Sequence, residues 1–351
     1  MKPVSHLSIA QKLNLSRTTV TRSFANHPSI SAETREKVLQ TATELGYTAS
    51  PARTVRRKKL SRNGTIGVLI GVRATAPGTA TFPFILQGIQ QHAAVEQTKI
   101  DVYYQNPDEF DPDGQRHRVF GHMRTANWRG VILIYPFNEE AIQAISRRIS
   151  TVATLEDYVE QGIDSIDTDH SSGIVKLVGK LADIGHRKIG FAAWHYPVGG
   201  HWTTRRFAAY VEGLYSRGLP FNPDWSYNVH QAAPKLNRDE LADHIAERTR
   251  RDGVTAWVCA ADHQAYELIR DLKQRGLSVP QDCSVTGFDG IEPPHGMPQI
   301  TTVRVPHEDI GAAALARLLN RVISPKSPVR KISVNADFVL GETLAEPRKI
   351  S

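Results

Sequence analysis

The chain has 351 residues, 40% hydrophobic and 23% charged, which excludes a disordered or fibrous protein and leaves room for two or three domains. The net charge of +7 is uneven: residues 1–63 hold 12 Lys and Arg against three Asp and Glu, and the remaining 288 hold 31 against 33. A local +9 beside a local −2 excludes a uniformly basic protein and points to a small module for a polyanion on a near-neutral body.

Three short helices are predicted first. One runs from His6 to Leu13, with Ile9, Ala10 and Leu13 on one face. Asn14 follows where a tight turn needs positive φ, which Asn tolerates. Ser16 caps a second helix over Arg17–Ala25. Val20 and Phe24 face inward as an i,i+4 pair, and Arg17, Thr18, Thr21 and Arg22 face outward. Asn26, His27 and Pro28 end it. Ser31 caps a third helix over Ala32–Leu45, with Val38, Ala42 and Leu45 as its apolar stripe and Gly46 as its stop. Helix, turn and basic helix fit a DNA major groove. Arg17 suits guanine O6/N7, Thr18 a thymine methyl or another base edge, and Ser16 with nearby amides a phosphate. An ordinary three-helix domain with solvated arginines fits the same pattern, and the local +9 weighs against it.

Residues 47–64 hold Arg53, Arg56, Arg57, Lys58, Lys59 and Arg62, a junction expected to order on phosphate. Beyond it, strands are predicted at Thr65–Gly71, Ile100–Tyr104, Gly130–Tyr135, Ser150–Leu155, Arg187–Ala193, Val254–Ala260 and Ser284–Phe288. Helices are predicted at Phe84–Gln97, Gln115–Thr125, Glu139–Ile149, Ser171–Ile184, Thr203–Arg217, Asp239–Arg251 and His263–Arg275. The alternation predicts parallel sheets covered on both faces, in two α/β lobes. Cys259 and Cys283 lie in apolar runs and read as buried thiols of a reducing compartment. No apolar run reaches eighteen residues and no export region opens the chain, so a cytoplasmic protein without a membrane span is expected.

The ordered segments IAQKLNLSRTTVTRSFANHPSISAETREKVLQTATELGY, TIGVLI, FPFILQGIQQHA, RGVILIYP, LADIGHRKIGF, RRFAAYVEGLYSRGLPFNPD, VPQDCSVTGFDG and ITTVRVP resemble the LacI/GalR family of bacterial transcription regulators over essentially the whole chain. The resemblance implies an N-terminal all-α helix-turn-helix domain (1–49), a hinge (50–63) and a two-lobed α/β periplasmic-binding-protein-like sensor (64–351). It places one lobe at about 64–164 and 293–325, and the other at about 165–292 and 326–351. Arg17, Thr18 and Arg22 then match recognition-helix positions, Thr21 and Ser29 phosphate or edge contacts, and Ser5 and His6 positioning residues. In the hinge, a one-residue gap makes Arg53 the family arginine and Val55 the apolar wedge, which is the preferred alignment; without the gap Arg56 takes the wedge position.

Open α/β sheets bind ligands beyond the carboxyl ends of their strands, and two such lobes form a closable cleft. Candidate effector contacts at those ends are Arg73, Thr75, Phe84, Glu156, Trp194, Asp262 and Asp289, and Arg206 matches the family's effector-contacting arginine. Arg205 reads as an exposed helix arginine, and Asp262 reads first as a helix N-cap and second as a ligand contact. The family's Ala-Asn-Asp becomes Ala260-Ala261-Asp262 and its Val-Arg-Gln-Pro becomes Val303-Arg304-Val305-Pro306, each removing an amide. The expected partners are approximately palindromic double-stranded operator DNA, a small polar effector with a sugar favoured, and a second copy in a homodimer. The C-terminal tail has no apolar heptads that would build a tetramer.

The expected function is a repressor of carbohydrate-utilisation genes, cytoplasmic and nucleoid-associated, released by its effector. The alternatives are a regulator answering a purine or phosphorylated metabolite and, lower, a solute-binding protein without DNA binding. No G-x-G-x-x-G, Walker or G-x-S-x-G motif and no metal-ligand spacing occurs, so an enzyme, a cofactor and a metal are not expected.

Overall fold

The computed structural model describes residues 5–24, 30–45, 64–72, 81–110, 118–196, 201–229 and 234–348. The expectations placed on Ser29, Gly46, Arg53, Val55, Arg56, Arg73 and Thr75 lie outside these described residues. The chain divides into two compact units, Met1–Leu60 and Ser61–Ser351.

In the first unit the helices are His6–Lys12, Arg17–Phe24 and Ala32–Glu44. Ile9, Ala10, Val20, Val38 and Ala42 form its core, with Leu13, Leu15, Phe24 and Leu45 packed around them. Side chains satisfy the orphan amides at each helix start. Ser5 and Ser8 form a reciprocal capping box, Ser16 Oγ accepts from Thr19 N at 3.0 Å, and Ser31 Oγ accepts from Thr34 N at 3.2 Å. Asn14 has φ of 51°, as the turn requires.

The second unit holds strands β1 Thr65–Gly71, β2 Lys99–Gln105, β3 Trp128–Ile134, β4 Ser150–Thr154, β5 Asp164–Thr168, β6 Ile189–Ala192, β7 Ser226–Tyr227, β8 Ala256–Cys259, β9 Ser284–Thr286, β10 Thr302–Arg304, β11 Lys331–Val334 and β12 Asp337–Val339. One lobe carries a parallel sheet in the order β11-β5-β4-β3-β1-β2, the other a parallel sheet in the order β7-β6-β8-β9. An antiparallel pair, β10 and β12, joins passages between them. In the first sheet, Val68, Ile70, Ile132 and Ile134 face the helices Phe82–Val95 and His307–Ile323. The alternate residues Leu69, Val131 and Leu133 face the helices Arg118–Thr125 and Glu139–Ser146. Burial on both faces at a two-residue period explains why these strands read as continuous apolar runs.

The seven predicted strands are present with ends within two residues. Two expectations need correction. The amphipathic helix His307–Ile323 is absent from the predicted set, although Ile310, Ala314, Leu315 and Leu318 mark its buried face. The lobe boundaries also move: residues from 165 and from 326 were assigned to the second lobe, yet β5 and β11 pair with each other in the first sheet. The reason is a buried ionic cluster. Asp164 in β5 is fully buried and accepts from Arg321 Nε and Nη2, each at 2.8 Å, from Arg317 Nη2 at 2.8 Å, and from the Arg330 amide at 2.7 Å. Burial alone would raise the Asp164 carboxyl, but these donors outweigh it and hold it below the usual carboxylate range.

Candidate functional site

The exposed face of the helix Arg17–Phe24 carries Arg17, Thr18, Thr21 and Arg22, because Val20 and Ser23 are buried on the opposite side. The side chains of Arg17, Thr18 and Arg22 have no partner among the described residues and project as donors and a methyl-bearing hydroxyl. The other predicted contacts have internal work. Thr21 Oγ1 donates to the Arg17 carbonyl at 3.0 Å and lies 3.0 Å from His6 Nδ1. The His6 ring stacks on Phe24 at 5.0 Å and 9°. Ser5 closes the first helix and Ser16 the second, so both act by fixing helix ends.

In the sensor unit, Asp289 follows β9 and Arg206 lies on the helix His201–Ser216. Arg206 is buried, and each nitrogen of its guanidinium makes one hydrogen bond. Nη2 donates to Asp289 Oδ1 at 3.1 Å, Nη1 to the Ala260 carbonyl at 2.5 Å, and Nε to His170 Nδ1 at 3.2 Å. Its carbon lies 3.8 Å from the Phe288 ring centroid and 4.6 Å from that of Trp202, so the guanidinium packs against two aromatic rings. Asp289 has φ of 131°, a conformation that L residues rarely adopt and that marks sites where the surroundings over-determine the backbone. Burial pushes its carboxyl up, and the Arg206 charge opposes that.

The same end of the first lobe carries two more strained residues, Tyr135 (φ 70°) after β3 and Leu155 (φ 63°) after β4. Tyr135 accepts from the Phe82 amide at 2.9 Å and pairs with Thr81 Oγ1 at 3.1 Å. Burial raises its hydroxyl pKa, and the charge of Asp289 acts in the same direction.

Glu156 is buried at the end of β4, with Oε2 3.2 Å from Nδ1 of His201 on the opposite lobe. That hydrogen bond holds the His201 pKa above its usual value. Phe84 is exposed, and its ring centroid lies 6.4 Å from that of His307. Trp194 is half-buried and edge-on to His263 at 5.1 Å. Asp262 departs from its expected role. It is fully buried, and its oxygens accept from the Gly290 amide at 2.6 Å, the Ile291 amide at 2.9 Å and Thr302 Oγ1 at 2.5 Å. It supports the turn beneath Asp289, and as the first residue of the helix Asp262–Gln274 it makes no N-cap either.

Four functional groups were missed by sequence reasoning. Arg205, read as exposed, is largely buried and donates to Asp157 at 2.6 Å and Asp167 at 3.1 Å, linking the lobes. His170 bridges Asp167 Oδ2, at 3.0 Å, to Arg206. Burial lowers the His170 pKa, which leaves Nδ1 free to accept from Arg206. Tyr196 lies 2.9 Å from His263 Nε2 and accepts from Gln264 Nε2 at 2.9 Å. A tyrosine two residues after Trp194 on the same strand-end loop was the available signal. His307 opens its helix beside the cleft, and burial brings its pKa down to about 4. Among the described residues no three His, Cys, Asp or Glu side chains group to hold a metal. The site offers hydrogen-bonding groups and aromatic faces for binding.

Comparison with known proteins adds to this geometry. Residues 8–50 match the family described as bacterial regulatory proteins, lacI family, and residues 178–344 match the periplasmic binding protein-like domain. The ribose operon repressor of Haemophilus influenzae is 26% identical over 343 residues, covering 96% of this chain and 97% of that protein. A lac repressor dimer bound to operator and an anti-inducer shares the fold with TM-score 0.63 at 19% identity, covering 98% of this chain and all of that one. The transcriptional regulator CelR in complex with cellobiose matches with TM-score 0.64 at 19% identity, covering 97% of this chain and 99% of that one.

Proposed function

The chain belongs to the LacI/GalR family of bacterial transcription regulators, and on that premise we propose that it is a cytoplasmic repressor of carbohydrate-utilisation genes, released from operator DNA by a small sugar. The observation that carries the effector half is the Arg206–Asp289 pair at the strand ends, with the Arg206 guanidinium packed against Phe288 and Trp202. A carboxylate fixed beside aromatic rings suits a ligand with hydroxyl groups on one edge and apolar C–H on its faces. The DNA half rests on the exposed Arg17, Thr18 and Arg22, on a helix whose start is capped by Ser16.

As a homodimer the protein sets two such helices into successive major grooves of an approximately palindromic operator. Phosphate contacts supply general affinity, and Arg17 and Thr18 supply selectivity. Sugar binding favours one arrangement of the lobes, and that preference is coupled to the heads through the dimer. No chemical step is needed. The test is a thermal-shift screen of sugars and nucleobases on the full chain, followed by operator titration with each hit. A sugar that raises the melting temperature and weakens operator binding supports the reading. A response to purines alone overturns its effector half.

A further inference from the structure

We infer that the base of the first lobe, the rim where its strands begin, is a second DNA-contacting surface that binds phosphates beside the operator. This goes beyond the helix-turn-helix contacts and rests on the DNA half of the proposed function. The rim carries Arg330 just before β11, Arg147 before β4, Arg124 before β3, Arg129 within β3 and Lys99 at the start of β2. All five are exposed. None of their side chains has a hydrogen-bond or ion-pair partner among the described residues. The topology gathers them on one side. Each strand of this sheet is parallel to its neighbours, so all six begin together. The helices Arg118–Thr125 and Glu139–Ser146 return to that side before β3 and β4. At about 4.8 Å between strands, six strands span roughly 24 Å, the length of about seven base pairs.

The acids at these strand starts are already engaged. Asp101 Oδ2 accepts from Trp128 Nε1 at 2.7 Å and lies 2.6 Å from His122 Nε2. Asp164 is held by Arg317 and Arg321, and Glu96 lies 4.0 Å from His92. Glu160, on the connection from β4 into β5, is exposed and outnumbered. Residues 64–351 hold 31 Lys and Arg against 33 Asp and Glu, so the excess on this rim is local. The chain that carries the head also enters the sensor here, at Gly64 and Thr65. A register shift between Thr65 and Ile66 leaves Arg129 as the extra residue of β3, and its side chain covers Gly64. The preceding segment, 53–62, is itself basic and does not neutralise the rim. The complement of both is a polyanion brought to this entry, and DNA held by the heads is brought there by the chain itself.

The test is fluorescence anisotropy of the full chain on a mixed-sequence duplex of about 40 base pairs, titrated from about 50 to 200 mM salt. Arg129→Gln with Arg147→Gln should weaken binding and flatten the slope of log K against log salt by about one to two, at about 0.9 per phosphate contact. Arg129→Lys with Arg147→Lys should keep most of both, which separates charge from folding. Lys176→Gln with Lys273→Gln removes the same charge from exposed positions of the second lobe and should leave the slope unchanged. Equal effects of the two neutralising pairs reduce the rim to its share of the net charge and overturn the inference. An unchanged slope in the rim variant, as expected if the rim served an acidic protein, overturns it too and leaves DNA binding to the heads. A wild-type chain with no affinity for the duplex overturns both this inference and the DNA half of the proposed function.

Discussion

Asp262 does not face the cleft, yet it holds Asp289 in place: its Oδ2 accepts the amides of Gly290 and Ile291, the two residues that follow Asp289. The turn is also tied from the other side, because Asp289 N donates to the Val303 carbonyl at 2.8 Å and Val305 N to the Asp289 carbonyl at 3.1 Å. Removing the carboxylate leaves two amides and Thr302 without their acceptor. Asp262→Ala should cost about 2–4 kcal/mol of stability by denaturant unfolding. It should also weaken effector binding more than a core truncation of equal cost, such as Leu272→Ala. Equal losses of affinity in the two variants would mean that Asp262 acts on stability alone.

Protonation of Asp262 has a definite sign. Burial, and then the Asp289 charge, push its carboxyl up to about 7, above the unfolded value near 3.9. A folded pKa raised in this way gives stability that is full below the unfolded value and is lost as pH rises through the folded one. Wild type should therefore lose stability relative to Asp262→Asn between about pH 4 and 7 and run parallel to it above about pH 8. Urea midpoints of both proteins across that range check this, and a difference that grows in the opposite direction rejects it.

The Asp164 cluster titrates the other way. Its folded pKa is lowered, so its contribution is present above the unfolded value and fades as pH falls through the folded one. Arg321→Ala leaves a buried carboxylate short of two donors and should cost about 3–5 kcal/mol. Acid unfolding of the variant should begin at higher pH than in wild type.

Two glycines give an opposed pair. A Cβ on Gly311 would lie 2.1 Å from the Ile85 carbonyl oxygen, where the helices Phe82–Val95 and His307–Ile323 cross. Gly311→Ala should destabilise by about 1–3 kcal/mol or more, since backbone must move. Gly121 lies within a helix with nothing within 4 Å of such a Cβ. Gly121→Ala should stabilise by about 0.5–1 kcal/mol. Thermal midpoints moving the same way in both would reject the crossing geometry.

On the DNA side, Arg17→Ala should cost about 1–3 kcal/mol at one operator position and relax selectivity there. Competition titrations with single-base operator variants measure it. A uniform loss on all DNA would assign Arg17 to phosphate.

Much of the fold was legible because it depends on local periodicity. The capped head helices, the positive φ of Asn14 and the parallel strands follow from side-chain spacing that neighbours in sequence share. So does the place of Asp289 directly after an apolar strand. Arg206 was found through family resemblance, while its exposed-looking neighbour Arg205 was misread. Both sit on one helix, and only the lobe that packs opposite decides that Arg205 meets Asp157.

By itself, then, the sequence determined a basic three-helix head, an α/β sensor and two of the cleft's charged residues. The tertiary structure alone decided that the polar segment Asp164–Thr168 is a buried strand, that Asp262 serves the turn beneath Asp289, and that the arginines of the cleft are already paired. The physical reason is distance along the chain. Burial of a charge is tolerated only where a partner meets it, and Asp164 meets Arg321 across 157 residues that no local pattern spans.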